Sequence, residues 1–296
     1  MATTYGMING LAADFFSTKG PICLGTTFEE QKTRFRQAFA DLANPANKKA
    51  LTQLVDFLAD ESKQIQAAYD KGDSEVSKTY DRLSSMFDNM KLQVITAIGL
   101  TDGLTYINLA KINFDHFSQD ARTAYNAGYA VAINEALNKN LERAYAMNAF
   151  ADHFLEDSFS AGHLRTPRRF LTDHLGAKDG CAKEAYGDKR LFDEVNHKNM
   201  LQIREALQAS TDEIWAAYYN GDKLELDTYK AWSYAPVLRN VKGKKNAMFY
   251  TQDKKLYYRK DITNPNGLEY AETGVLAWVK ILAALRIKAA RRGKTS

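Results

Sequence analysis

Proline breaks helices because it lacks an amide donor and its ring clashes with the preceding turn, and it occurs only 5 times in 296 residues. Glycine is modest at 17, and Ala, Leu, Glu, Lys and Gln are plentiful, so long helices can run without internal breakers. The same shortage of turn formers argues against a many-turn β fold. An apolar content of 45% excludes a disordered chain and is enough, at this length, for the core of one or two domains.

Hydrophobic periodicity places the elements. Thr27 and Glu30 have the spacing of a capping box ahead of Phe28, Phe35, Phe39 and Leu42, and Asn44-Pro45 stops that helix. Leu51, Leu54, Val55, Leu58, Ile65 and Tyr69 then recur at helical intervals until Lys71-Gly72-Asp73. The pattern predicts further helices over 75–98, 121–137 (with Ser118 as its cap), 141–159 and 194–219, with Gly162 and Pro167 marking the exit from 141–159. Residues 171–188 read as a polar loop. Residues 248–259 read as a β-hairpin with a four-residue connection, and 268–290 as a closing amphipathic helix. The expected fold is therefore mainly α, a multi-helix bundle with a small β-hairpin near the C-terminus. A helical part, 1–225, carries the chemistry, and a hairpin-and-helix part, 226–296, packs on it.

Several classes of function are set aside by what the chain lacks. Cys23 and Cys181 are its only cysteines, too few for a disulfide framework or a thiolate metal site. The start has no basic region ahead of an apolar one, so no signal peptide is expected, which implies a cytoplasmic protein or export by a signal-independent route. The longest apolar stretch, 275–285, is interrupted by Lys280, and no transmembrane span is expected. A net charge of +4 is far below the excess of a dedicated nucleic-acid binder.

Four of the 5 histidines, His116, His153, His163 and His174, fall close together. His153 and Asp157 lie one helical turn apart and project from one face. His163 follows just past Gly162, where the chain can fold back toward that face. Asp102 and Asp115-His116 sit at loop–helix junctions, and Asp14 interrupts the apolar run Leu11-Ala-Ala-Asp14-Phe-Phe. A His-x-x-x-Asp pair on a helix is ordinarily no more than a hydrogen-bonded pair. Phe150, Phe154, Leu155 and Phe159, however, mark this helix as buried, and a buried His/Asp pair needs a reason. Imidazole and carboxylate together are donors that zinc accepts.

The stretch His153-Phe-Leu-Glu-Asp157-Ser-Phe-Ser-Ala-Gly-His163-Leu-Arg-Thr-Pro-Arg168 resembles the zinc-dependent bacterial phospholipase C family, which is related in fold to single-strand-specific zinc nucleases. The step from Asp102 to His116, the start Thr4-Tyr5-Gly6 to Ala13-Asp14-Phe15, and Ala185-Tyr-Gly-Asp188 are similar as well. The resemblance implies a helical phospholipase C-like bundle with two or three zinc ions in a cleft. Asp102, His116, His153 and Asp157 would hold one ion, Asp157 would bridge to a second aided by Asp14, and His163 would serve a third. It also implies a phospholipid substrate at a membrane surface, with Asp102 as general base and release of diacylglycerol and a phosphorylated head group.

The interval between Arg168 and Tyr-Gly-Asp188 is shorter than in that family and offers only Asp173, His174 and Asp179. His197 with Asp193 or Glu194 could substitute, although a solvated histidine is the simpler reading. Three rival functions share these features. A single-strand nuclease would use nearly the same ligands with an aromatic platform such as Tyr250 to Tyr258, here read as cross-strand packing. A catalytically impaired scaffold would keep the fold without turnover, and a di-iron carboxylate bundle would need two Glu-x-x-His motifs where only Glu194 to His197 matches. Arg165 and Arg168 have the planar forks that bind phosphate, or that pair with core carboxylates. The closing helix carries Arg286, Lys288, Arg291, Arg292 and Lys294, which suit an anionic membrane or, more simply, complement a helix C-terminus.

Overall fold

The computed structural model describes residues 3–12, 14–17, 20–83, 86–100, 104–169, 193–237, 249–252, 255–261, 264 and 266–273. The molecule is mainly helical, and its centre is the αα-hairpin of α7 (Ser118–Leu137) and α8 (Leu141–Asp157). Lys139, at φ 64°, makes the tight turn between them. The two helices pack closely because the buried faces are small: Ala121, Ala124, Ala127, Gly128, Ala132 and Ala136 on α7, and Ala144, Ala149 and Ala151 on α8. α2 (Phe28–Leu42) covers α7, α1 (Tyr5–Leu11) lies along α8, and α10 (His197–Asn220) spans both. Phe35 meets Phe150 edge-on at 5.4 Å between ring centres. That geometry favours the aromatic quadrupoles and joins α2 to α8.

The peripheral helices are tied by caps that come from a distance. α3 (Lys48–Asp70) packs on α4 (Ser77–Leu83) and α5 (Met86–Gly99), so the stretch expected as a single helix over 75–98 holds two. Asp193 accepts from the Ser77 amide and hydroxyl, both at 2.8 Å, and so caps the start of α4. α6 (Tyr106–Ile112) is capped from α5: Thr96 Oγ1 accepts from the Tyr106 amide and Gln93 Oε1 from the Ile107 amide, each at 2.9 Å. These side chains satisfy amides that a helix start leaves without a partner. The capping box on α2 is half as expected. Thr27 Oγ1 accepts from the Glu30 amide at 3.2 Å, but Glu30 reaches back to Thr26, not Thr27.

Ser118 caps nothing. α7 begins at that residue, Phe117 precedes it as the cap position, and Ser118 itself takes a φ of 52°. A serine there is strained, and the strain falls where a short 3-10 turn, Phe114–His116, must run straight into α7. The 194–219 helix proves to be a 3-10 turn, Glu194–Asn196, followed by α10, which ends at Gly221 with φ 78°.

The expected hairpin is present and larger than foreseen. Strands β1 (Phe249–Gln252), β2 (Lys255–Arg259) and β3 (Tyr270–Glu272) form an antiparallel sheet in that order. Gln252 stands opposite Lys255, so the connection is two residues, not four. The closing helix does not begin at Leu268, because 270–272 pairs with β2 as a strand, with Lys255 and Glu272 in salt-bridge contact at 3.0 Å. The rest of that predicted helix and the 171–188 loop lie outside the described residues. Among the described residues no helix is long and apolar enough to cross a membrane.

Candidate metal centre

Four elements deliver five of the six expected ligands to one place. α8 supplies His153 and Asp157 from its last turns, as their spacing predicts. The 3-10 turn before α7 supplies His116, and α9 (Ala161–Arg165) folds back to supply His163, which is buried. The turn after α1 supplies Asp14. Donor atoms of Asp14, His116 and His153 lie within 4.8 Å of one another, as do those of His116, Asp157 and His163, so His116 belongs to both groups. Asp102 and His174 lie outside the described residues.

The tightest part of the cluster is a triangle. His116 Nδ1 is 2.8 Å from Asp157 Oδ2 and 3.2 Å from His153 Nε2, and His153 Nε2 is 3.7 Å from Asp157 Oδ2. The other carboxylate oxygen, Oδ1, faces His163 Nε2 at 3.4 Å. Ligands at about 2.0–2.1 Å from a tetrahedral ion stand about 3.3–3.4 Å apart, so the spacing of these donors suits a shared cation. Hydrogen bonding agrees with that fit. The carbonyl of Asn9 can only accept, and it takes the bond from His153 Nδ1 at 3.0 Å, which leaves the lone pair of a neutral His153 on Nε2, facing the cluster. His116 Nε2 and Asp157 Oδ2 are buried and make no hydrogen bond; Oδ2 is near enough to His116 for an ion pair but not aligned for one. Buried polar atoms without hydrogen bonds are uncommon. A cation would satisfy the carboxylate oxygen.

The charges respond to this crowding. Burial lowers the basicity of His116, but Asp157, reinforced by Asp14 and Asp115, outweighs it and lifts the imidazole to about 9. Burial dominates at His153 and holds it below the usual imidazole value despite Asp157 and Asp14. Asp157 is buried, which would raise it, yet His163, His116 and His153 together hold it well below the carboxylate range. In the absence of metal, a proton on His116 thus takes the cation's part among these donors. Phe117 lies 4.6 Å from the His163 ring and Phe154 5.5 Å from that of His116, so apolar walls enclose the cluster.

Other candidates are used elsewhere. Asp115 accepts from the Ile22 amide at 2.8 Å and belongs to neither ligand group. Asp193 is the cap of α4, and His197 and Glu194 are exposed at the start of α10, away from the substitute or di-iron roles. Arg168 is buried, donates to the Ala110 carbonyl and stacks over Phe117, so its contacts here are structural. Arg165 ends α9 half-buried.

Sequence reasoning passed over a polar layer beneath the cluster. Tyr5 donates to Asp152 at 2.6 Å and accepts from Asn148 at 2.7 Å, Ser210 donates to Asp152 at 2.8 Å, and Asn9 Nδ2 donates to Glu156 at 3.1 Å. The signal was present: Asn148, Asp152 and Glu156 recur every four residues on a helix that is otherwise apolar. A groove of about 570 Å³ between α3 and α5, lined by Phe57, Ile95 and Met90 among others, shares no residue with the cluster. The convergence of donors, not concavity, locates the centre. Comparison with models of known protein families, with curated proteins and with solved structures finds no match.

Proposed function

We propose that this chain is a zinc-dependent phosphodiester hydrolase of the phospholipase C type, cleaving the glycerol-side phosphodiester of phospholipids such as phosphatidylcholine. The observation that carries the reading is the convergence of His116, His153 and Asp157 into one triangle, with Asp14 and His163 at its sides. Residues that belong to distant stretches of the sequence are gathered there with the spacing that prompted the resemblance.

Zinc held by these five side chains would act as a Lewis acid toward a phosphoryl oxygen and lower the pKa of water. The chain's own residues do the rest. Asp157 presents one oxygen to His116 and the other to His163, so a single carboxylate reaches both imidazoles of its ligand group, and His116 links that group to Asp14 and His153. Asn9 and Ser160 fix the rings: the Asn9 carbonyl holds His153 Nδ1 at 3.0 Å, and Ser160 Oγ lies 3.1 Å from His163 Nδ1. Phe117 and Phe154 limit water around the imidazoles, which strengthens every charge interaction among them. Asp102 is the residue assigned to general-base work by the resemblance alone.

Metal analysis of the purified chain, followed by assay on phosphatidylcholine vesicles and on single-stranded DNA, tests the proposal. Zinc should co-purify or load stoichiometrically, and head-group release should exceed DNA cleavage. His153→Ala should lose both zinc and hydrolysis while circular dichroism keeps the helical signal. Zinc binding without head-group release would point to a scaffold, and preferential DNA cleavage to a nuclease. Either result overturns the phospholipase reading.

A further inference from the structure

We infer that Asn9 and Glu156 act as positioning residues, a clamp that presents His153 to a cation; the inference rests on the metal-site reading above and extends it to residues that touch no ligand atom of the cation. The end of α1 is gripped twice by α8. His153 and Glu156 stand three positions apart on one face of α8. The His153 ring takes the Asn9 main-chain carbonyl at 3.0 Å, and the Glu156 carboxylate takes the Asn9 side-chain amide at 3.1 Å.

The carbonyl is available because α1 stops at Leu11. The last four carbonyls of a helix lack the amide four residues on; Asn9 O keeps only the Ala12 amide, at 3.2 Å and shared with Ile8 O, so it can accept a second bond, and Ala12 turns the chain away with ψ 165°. Asn9 O thus points out of the helix end, where the backbone dipole also favours a donor. Tyr5, one turn earlier on the same helix, is bound to Asp152 and Asn148, which fixes α1 in rotation and leaves the Asn9–Glu156 bond to set the position of its end. The result is a chain from carboxylate to amide to main-chain carbonyl to imidazole. Outer-sphere partners of this kind orient a ligand ring and choose its tautomer, and losing one typically weakens metal affinity by about 10–100-fold.

Three variants separate the clamp from mere packing. Glu156→Gln keeps an oxygen that accepts from Asn9, Glu156→Leu removes it at similar size, and Asn9→Ala removes the amide while suiting a helix. Two measurements apply to each: Zn2+ affinity by competition with a chromophoric chelator, and ring-nitrogen shifts of His153 by NMR in metal-free protein. We expect Glu156→Leu and Asn9→Ala to bind zinc about 10–100-fold more weakly and to mix the two His153 tautomers. Glu156→Gln should keep wild-type affinity and a single Nδ1–H tautomer. Unchanged affinity and tautomer in Glu156→Leu and Asn9→Ala would overturn the clamp, as would equal losses in Glu156→Gln and Glu156→Leu. Should Glu156→Leu fail to fold, Asn9→Ala carries the same test. A wild-type chain that binds no zinc defeats the functional reading, while its His153 tautomer still decides the clamp.

Discussion

Protons occupy the donors around Asp157 that a cation would take, and their binding sets how the metal-free protein responds to pH. Several buried groups hold protons more tightly when folded than when unfolded, His116, Asp152 and Glu156 among them. His116 rises from 6.5 to about 9, because Asp157 outweighs burial. Asp152 is raised from 3.8 to about 7 by burial, against the bonds from Tyr5 and Ser210, and Glu156 from 4.5 to about 8 by burial with Asp152 and Asp157 beside it. Where the native state binds more protons, stability falls as pH rises. The His116 contribution is therefore complete below about 6.5 and lost by about 9, and those of Asp152 and Glu156 fade from the mid-acid range to about 7 and 8. Asp157 and His153 work the other way: each binds its proton less tightly in the fold, so their part of the stability is lost as pH falls below about 3.8 and about 6.5 respectively, and the groups that rise outweigh them. Metal-free protein should thus resist urea better near about pH 5 than near about pH 8.5, and added zinc should narrow the gap by replacing the His116 proton. Greater stability at the alkaline point, in chelator, would contradict this account. How much of the site the sequence disclosed follows from the same atoms. His153, Asp157 and His163 were readable because their spacing is local helix geometry. Asn9 was not, because it acts through a carbonyl that every residue possesses.

Packing of the helices rests on a few close approaches, and glycine marks the tightest. A Cβ added to Gly128 on α7 would sit 2.3 Å from Phe35 Cε2, a buried ring wedged between α2 and α8. The same ring packs edge-on against Phe150, so moving it disturbs that pair. Gly128→Ala should therefore cost about 1–3 kcal/mol in chemical denaturation, the usual penalty of overpacking. Gly6 on α1 has nothing within 4 Å of its added Cβ, so Gly6→Ala should gain about 0.5–1 kcal/mol from helix propensity. Equal effects at the two positions would mean that close contact is not what governs α7. The long helices α2, α3, α7 and α8 were visible in the sequence because each carries an apolar face of several turns. The division into α4 and α5 was not, since neither proline nor glycine announces it, and α4 owes its start to Asp193 far along the chain. β3 was misread for a related reason: a strand of 3 residues has too little pattern to compete with the helical period that follows it.

The cluster joins the turn after α1 to α8, α9 and the turn before α7, so a bound cation would cross-link the start of the chain to its middle. That arrangement was not legible from spacing. Asp14 and His116 meet only because α1 lies along α8 and the Phe114–His116 turn brings its imidazole to the same edge. A ligand that binds only the folded chain stabilises it by mass action, about 2.7 kcal/mol at a free concentration one hundred times Kd. For a chain of 296 residues that corresponds to a rise in Tm of about 4 °C. Zinc titrated into chelator-treated protein should produce a shift of this order, and chelation should reverse it. His153→Ala, which keeps the helices but deletes the nitrogen facing His116, should show neither change. If the variant and the wild type shift equally, zinc is binding elsewhere and the cluster beneath α1 holds protons only.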